Sequence, residues 1–316
     1  MLRASALLSR AGALALVAGL VACPPTTAAE FSKLIVFGDS LVDSGNFHAA
    51  TSSQLPALPY FAGRFSNGPV AVEVLARLAG LAPPLPSDQG GTNHAWAGAR
   101  AGDDIDLRVL VIPSVRTQVS RFLDAATDTL DSHALYVVTA GGNDIMGAVE
   151  SNDQIAEPAI RTAAGHHAAA VDALLDRGAV HLLVILAPDV SRTPGHWKSA
   201  DARRLAKAYN HTLESALDSL DVPTMRRFDL STVIGETANL VVDRPCYTPP
   251  DICSDPDAHF FWDGTHPSAA GHELLATEMW RLLRLPTTLL TVSWSRVKES
   301  ILQRQPAASA YANADR

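Results

Sequence analysis

Positive charge is scarce in this sequence of 316 residues. It contains 25 Lys and Arg against 33 Asp and Glu, which gives a formal net charge of -8 at pH 7. Proteins that bind nucleic acid do so through clustered Lys and Arg. The charge balance therefore argues against a nucleic-acid partner. Hydrophobic residues make up 47% of the chain and charged residues 18%, a balance typical of a globular protein with a sizeable core.

Sequence patterns for metal and nucleotide sites are also missing. The chain contains no H-E-x-x-H pair of metal ligands and no P-loop, so we expect neither a metal nor a cofactor. The G-x-S-x-G turn of the α/β hydrolases is absent as well. Adjacent His166 and His167 point about 100° apart on a helix and cannot share one ion as an i, i+4 pair can. We predict that both lie on the surface.

Cysteine is rare, with three residues in the chain. Cys23 lies near the N-terminus, whereas Cys246 and Cys253 bracket a seven-residue step that is rich in proline. A disulfide would hold such a loop closed. A metal pair would need a second CxxC or a neighbouring histidine cluster, which the sequence lacks. The spacing favours a disulfide between Cys246 and Cys253.

The first 29 residues have the layout of a signal peptide. Arg3 and Arg10 form a basic region, and residues 11–22 form an apolar core that is too short to span a bilayer. Two processing routes stay open. The small residues 27–29 allow cleavage before the mature chain, while a lipobox ending at Cys23 would lead to its lipidation and retention. A structural N-terminal helix is a third interpretation of the same residues.

Apolar, β-rich runs alternate with amphipathic stretches along the rest of the chain. This alternation predicts an α/β fold, a three-layer α/β/α sandwich around a parallel sheet of about five strands. The predicted strands span 34–37, 134–139, 180–186 and 224–228, and the predicted helices span 70–78, 115–126, 157–176, 199–220 and 271–285.

No internal repeat and no second set of motifs marks a second domain. We therefore predict a signal peptide over 1–29, one domain over 30–285 and a C-terminal tail over 286–316. The leader and the paired cysteines together predict a secreted, periplasmic or outer-surface protein, anchored through Cys23 if that residue is lipidated.

Polar residues with complementary chemistry follow the predicted strands. Ser40 lies where the strand 34–37 turns into the next element, and Asn143 follows a later strand. Open α/β folds place their ligands at this carboxyl edge of the sheet. Asp263 and His266 are three residues apart, so one tight loop can carry both. The four residues supply a nucleophile, an oxyanion donor, an acid and a base, the set that acyl transfer needs.

Six stretches occur in an order and at a spacing that resemble the GDSL esterases and lipases of the SGNH-hydrolase superfamily. The resemblance extends from about Leu34 to about Leu285, and it is greatest to the secreted bacterial phospholipase and acyltransferase branch. The stretches are FGDSLVDSGN, GRFSNGP, NHAWAGA, GGND, LAPD and FWDGTHP. The resemblance implies a flavodoxin-like strand order and a hydrolase of lipid or phospholipid acyl esters that forms an acyl-serine intermediate.

The resemblance also implies a role for individual residues. Ser40, Asp263 and His266 would form a catalytic triad. The backbone N–H groups of Ser40 and Gly98, with the side-chain amide of Asn143, would form the oxyanion hole. Glycine suits position 98 because backbone can approach a substrate closely there without a Cβ in the way. Taken singly, each stretch also has an ordinary explanation as a turn or a capped helix start.

Two other functions stay open at this point. One is a carbohydrate O-acetylesterase of the same superfamily, and the other is a non-catalytic surface lipoprotein that uses the fold as a binding module. The complete set of site residues favours an enzyme. We expect a small-molecule or lipid ester as the partner, contact with a membrane surface, and a monomer. Tyr60, Phe61 and Phe65 are predicted either to pack in the core or to form the wall of an acyl pocket.

Overall fold

The structure, a computed structural model, describes residues 30–151, 156–236 and 239–286. The strands in chain order are β1 (Leu34–Phe37), β2 (Ile105–Asp106), β3 (Val111–Ile112), β4 (Leu135–Thr139), β5 (His181–Ile185), β6 (Arg226–Phe228), β7 (Tyr247–Thr248) and β8 (Asp251–Ile252). The helices are α1 (Asn46–Ala50), α2 (Ala71–Leu78), α3 (Val115–Ala125), α4 (Gly142–Glu150), α5 (Glu157–Asp176), α6 (Ala200–Ser219), α7 (Leu230–Glu236) and α8 (Ala269–Leu283).

A parallel sheet with the strand order β1-β4-β5-β6 forms the centre of the fold. A further segment runs along the free edge of β1. The Val36 N–H donates to the Thr92 carbonyl (3.0 Å), and the His94 N–H donates to the Val36 carbonyl (2.7 Å). This segment pairs through an isolated bridge and takes the place of a fifth strand. When this segment is counted as the second strand along the chain, the strands lie across the sheet in the order 2-1-3-4-5. This order confirms the predicted flavodoxin-like arrangement.

Alternate side chains of the central strands pack on opposite faces of the sheet, as the period of two requires. Tyr136 and Val138 of β4 pack with residues of α3, α5 and α6. Leu135 and Val137 pack on the other side with residues of α2, α7 and α8. Because both faces are covered, β1 and β4 are buried along their whole length. The prediction of three layers is confirmed.

His167 is not on the surface as we predicted. It is fully buried in α5, where its Nδ1 lies 3.2 Å from the Tyr209 hydroxyl of α6. The helix packs against α3 and α6 and is rich in alanine, so more than one of its faces is covered. Burial lowers the pKa of His167 to about 4, and the ring is neutral at pH 7.

Several predictions concern residues that lie outside the described part of the chain. These are the signal peptide over 1–29 with Cys23, and nearly all of the tail over 286–316. Among the helices that the structure does describe, none has the length and apolar character needed to cross a membrane.

Candidate active site

Ser40 lies in the turn that follows β1, at the carboxyl edge of the sheet. The turn begins at Gly38, where a Cβ would come within 2.5 Å of the Thr139 side chain on β4. Gln118 of α3 fixes the same glycine twice, because its amide donates to the Gly38 carbonyl and accepts from the Gly38 N–H, both at 2.9 Å. Packing and hydrogen bonds therefore hold the start of the turn in one position.

A buried carboxylate, that of Asp43, holds the rest of the turn. It accepts the Ala97 N–H at 2.9 Å, which ties the Ser40 turn to the segment that carries Gly98. It also accepts N–H groups at the start of α1, from Gly45, Asn46 and Phe47. Two of the stretches recognised in the sequence thus contact each other through one side chain.

Ser40, His266 and Asp263 lie in a hydrogen-bonded row. The Ser40 Oγ is 2.9 Å from His266 Nε2, and His266 Nδ1 is 2.8 Å from Asp263 Oδ2. The His266 and Asp263 side chains are each 16% exposed, so the row is largely shielded from water. The structure therefore brings together the three residues that the sequence suggested as nucleophile, base and acid.

Asp263 is held as a carboxylate. It accepts the backbone N–H groups of Thr265 (2.8 Å) and His266 (2.7 Å) in addition to the His266 ring. Burial by itself raises the pKa of Asp263, but the His266 charge and these hydrogen bonds outweigh it and lower the pKa to about 2. At neutral pH Asp263 is a fixed negative charge that orients the imidazole.

Of the three donors expected to form an oxyanion hole, Ser40 and Asn143 border one cleft, and Gly98 follows Ala97, which bonds to the Ser40 turn. The N–H groups of Ser40 and Gly98 have no acceptor within the described ranges. Gly98 has a φ of 83°, a conformation that favours glycine. Asn143 lies at the start of α4, and its amide donates one hydrogen to the Ala99 carbonyl at 2.9 Å. Its second amide hydrogen remains for a ligand.

Asp39, directly before Ser40, is a buried carboxylate that sequence reasoning missed. It is 2% exposed and accepts the Leu41 N–H at 3.0 Å. Burial raises its pKa to about 6, against the opposing effect of the Leu41 hydrogen bond and the His266 charge. In the sequence an aspartate beside the serine is typical of an ordinary turn, and only the depth of the turn in the fold distinguishes it.

A cleft lies over Ser40 and His266. Most of its lining is apolar and comes from α4, α7 and the segments at 188–193 and 260–267. The apolar side chains are Leu41, Met146, Pro188, Val190, Leu230, Ile234, Phe260, Phe261 and Pro267. Pro188 and Asp189 belong to the LAPD stretch, which the structure thus brings to the site.

The GRFSNGP stretch positions the loop that carries His266. Ser66 Oγ donates to the Pro267 carbonyl (3.0 Å), and Asn67 Oδ1 accepts the Ala269 N–H (2.7 Å). The Phe65 ring lies 5.0 Å from the His266 ring. Phe65 therefore supports the triad loop and is not among the residues that line the cleft. Sequence spacing could not have revealed this, because about 200 residues separate the partners.

Tyr60 also contacts the triad, and the sequence gave no reason to expect this contact. Its hydroxyl donates to Asp263 Oδ2 at 2.7 Å. The ring packs against Phe65, Tyr247 and Trp262, with centroid separations of 5.7, 5.7 and 6.4 Å. Phe61, by contrast, points outward and is 45% exposed.

The predicted disulfide is present, and it joins Cys246 to Cys253. It closes the hairpin formed by β7 and β8. The Cys246 N–H donates to the Phe261 carbonyl (3.0 Å), so the hairpin supports the strand-like segment that leads into Asp263. His259 lies near both sulfur atoms, but bonded sulfurs cannot act as thiolate ligands.

Comparison with known proteins agrees with this geometry. A family model described as GDSL-like Lipase/Acylhydrolase matches residues 34–279. The chain belongs to this family. The resemblance drawn from the sequence stretches is therefore confirmed, and membership of the GDSL-like family supports a carboxylic ester hydrolase.

Individual GDSL-like relatives are moderately similar. Esterase EstA of Pseudomonas aeruginosa is 29% identical over 333 residues, covering 87% of this chain and 50% of that protein. The phosphatidylcholine-sterol acyltransferase of Aeromonas hydrophila is 30% identical over 183 residues, covering 57% of this chain and 50% of that protein. The chain spans about half the length of the curated relatives it matches. Among solved structures, the acetylxylan esterase Axe2 of Geobacillus stearothermophilus is 14% identical, covers 81% of this chain and 95% of that chain, and has a TM-score of 0.45.

Proposed function

We propose that this chain is an exported serine hydrolase that cleaves the acyl esters of lipids through an acyl-serine intermediate. The observation that carries the proposal is the row of hydrogen bonds from Ser40 through His266 to Asp263. A serine hydroxyl becomes a useful nucleophile when a base within hydrogen-bond reach takes its proton. His266 is in reach, and Asp263 holds its ring in the required tautomer.

The reaction follows from the geometry. Ser40 Oγ attacks the ester carbonyl while His266 Nε2 takes its proton, and the resulting oxyanion accepts hydrogen bonds from Ser40, Gly98 and Asn143. His266 then gives the proton to the leaving alcohol, and the acyl group stays on Ser40. A water molecule attacks this ester with His266 again as the base, and release of the acid restores the serine.

The cleft supports a lipid acyl group as the part that is bound. Apolar side chains of α4 and α7 and the phenyl rings of Phe260 and Phe261 line it next to Ser40. An alkyl chain needs such a surface and no polar partner. An acetylated sugar would instead be recognised through several hydrogen bonds to its hydroxyl groups.

Export is supported by two features. The Cys246–Cys253 disulfide is of the kind that persists in oxidising compartments. The signal peptide predicted for residues 1–29 would direct the chain to such a compartment. In the alternative form of this hypothesis, a lipidated Cys23 anchors the exported protein.

A substrate panel tests the proposal. Purified protein is assayed on p-nitrophenyl esters of increasing chain length, on phosphatidylcholine and on acetylated xylo-oligosaccharides, with Ser40→Ala as the control. We expect fatty-acid release from phosphatidylcholine and the longer esters, and none from the control. Faster deacetylation of the sugars would favour an O-acetylesterase. No hydrolysis of any ester would favour a binding module.

A further inference from the structure

Residues 51–63 form an uncharged loop beside the triad. The loop contains no Asp, Glu, Lys, Arg or His, in a chain that is 18% charged. Three of its apolar side chains point to solvent: Leu58 is 91% exposed, Leu55 50% and Phe61 45%. The inner side of the same loop carries Tyr60, which bonds to the triad acid. The outer, apolar side therefore lies close to the site of ester cleavage.

We propose that the 51–63 loop docks on the surface of a lipid aggregate. The inference rests on the proposed function, since docking would bring the ester-cleaving site to a lipid substrate. Transfer of a nearly fully exposed leucine from water to the acyl boundary of a lipid layer is favourable. The chain as a whole carries a net charge of -8 and would be repelled by an anionic surface. An uncharged loop fits a zwitterionic lipid surface.

A second exposed apolar segment offers a weaker alternative. The hairpin of β2 and β3 exposes Val109 at 95%. It also carries Asp103, Asp104 and Asp106, and transfer of carboxylates towards the apolar layer is costly. The lack of charge distinguishes the 51–63 loop from this hairpin.

Sedimentation with phosphatidylcholine vesicles tests the docking. All variants carry Ser40→Ala, so that binding is measured without hydrolysis. We expect Leu58→Ser to weaken vesicle binding about tenfold, the scale of one apolar side chain lost from a lipid boundary. The matched control is Val180→Ser. Val180 is 37% exposed and directly precedes β5, at the amino ends of the strands, whereas Ser40 lies at their carboxyl ends. This substitution should leave binding unchanged.

Three outcomes would overturn the docking proposal. They are unchanged binding in Leu58→Ser, an equal loss in Val180→Ser, or a loss in Val109→Ser alone, which would assign docking to the hairpin. In the active protein, which retains Ser40, Leu58→Ser should lose far more activity on vesicles than on a soluble short-chain ester. Absence of activity on the soluble ester would instead contradict the proposed function, so the two failures can be told apart.

The hydrogen bond from Tyr60 carries a second inference independently of the docking. We infer that Tyr60 is a positioning residue that acts through Asp263 on His266. Its hydroxyl is a further donor to the carboxylate, at 2.7 Å, and its ring is fixed in an aromatic cluster. Burial and the nearby Asp263 charge raise the pKa of Tyr60, so it stays protonated and donates throughout the working pH range.

Tyr60→Phe tests this role, with Tyr247→Phe as a matched control from the same aromatic cluster. We expect kcat to fall about tenfold in Tyr60→Phe with little change in KM, as for the loss of one positioning hydrogen bond. The acid limb of the pH profile should move to higher pH, because a carboxylate that has lost a donor attracts the imidazolium proton more strongly. Asp39 and His272, which also interact electrostatically with His266, are unchanged in this variant.

A double variant separates positioning from a general structural role. If Tyr60 acts through Asp263, then Tyr60→Phe should cost little further activity in an Asp263→Asn background. Circular dichroism confirms that each variant is folded, and Phe keeps the ring packing. The inference is wrong if Tyr60→Phe and Tyr247→Phe behave alike, if only KM changes, or if the losses in the double variant multiply.

Discussion

The two sides of the triad are held in place in different ways. On the nucleophile side, the turn after β1 is fixed by bonds within the turn itself and by bonds to Gln118 and Ala97 that span 80 and 54 residues. Asp43 accepts N–H groups two to four residues further along the chain. On the base side, the loop of Asp263 and His266 is fixed by Tyr60, Ser66 and Asn67, which lie 201 to 203 residues away in sequence.

This difference has a physical consequence. The nucleophile turn is part of the sheet edge and shares the stability of the core. The base loop depends on hydrogen bonds with Tyr60, Ser66 and Asn67, which lie on a segment outside the sheet. We therefore expect changes on the base side to alter activity through alignment, and changes on the nucleophile side to alter either chemistry or the stability of the whole fold.

The largest expected effect is on the base side. Asp263→Asn keeps the shape of the side chain but removes the charge that fixes the His266 tautomer, so we expect kcat to fall about 10⁴-fold. Asp257→Asn, an exposed residue six positions earlier, is the control and should be unaffected. Steady-state kinetics at saturating short-chain ester provide the measurement. Activity of Asp263→Asn within tenfold of the parent would mean that another acid orients the histidine.

On the nucleophile side, Asn143→Ala should lower kcat by about 10²–10³ with a small change in KM. The amide stabilises charge that develops only in the transition state, and this is the usual cost of one such donor. Because Asn143 also donates to the Ala99 carbonyl, circular dichroism should confirm that the variant is folded. If KM alone rises, Asn143 binds the ground state and its expected role is wrong.

Asp39 tests whether the nucleophile side is coupled to global stability. Its pKa is raised from 3.8 to about 6 on folding, so the folded state binds the proton more tightly than the unfolded chain. The contribution of Asp39 to stability should therefore fall by about 3 kcal/mol as the pH rises from about 4 through 6, whereas buried His167, whose pKa is lowered, contributes in the opposite direction in both proteins. Asp39→Asn should lack this loss. Chemical denaturation of both proteins at pH 4 and pH 7 measures their free energies of unfolding. If the difference between the two proteins is the same at both pH values, the coupling is refuted.

Removal of the disulfide tests how the base side is held in place, and we expect a smaller effect on stability. Replacement of Cys246 and Cys253 by serine should lower the free energy of unfolding by about 2–3 kcal/mol in the chain-entropy model. The hairpin pairs with the segment leading into Asp263, so hydrogen exchange should rise at 259–268 and stay constant at 38–46. A uniform rise over both segments would show that the two sides are not held independently.

The same contrast explains what the sequence could predict. The strand 34–37 agrees with β1, and α5 agrees with the predicted helix over 157–176, because apolar periodicity is local information. The short helices α1, α4 and α7 were not predicted, since tertiary packing stabilises such short segments more than propensity does.

Contacts between segments that are far apart in the sequence could not be predicted. Spacing alone placed Asp263 beside His266, and the resemblance to a family placed Ser40 with them. Nothing in the chain indicated that Tyr60 reaches Asp263, or that the ring of His167 is enclosed between α5 and α6. Such contacts depend on how the elements pack, and periodicity carries no information about that.

The central claim is that Ser40 is the residue that becomes acylated. The most direct test is treatment with a fluorophosphonate, which reacts with an activated serine, followed by intact-mass and peptide mass spectrometry. The account predicts one adduct per chain, located on Ser40, that requires His266 and is absent from Ser40→Ala. An adduct on another residue, or an unlabelled protein that still hydrolyses esters, would contradict it.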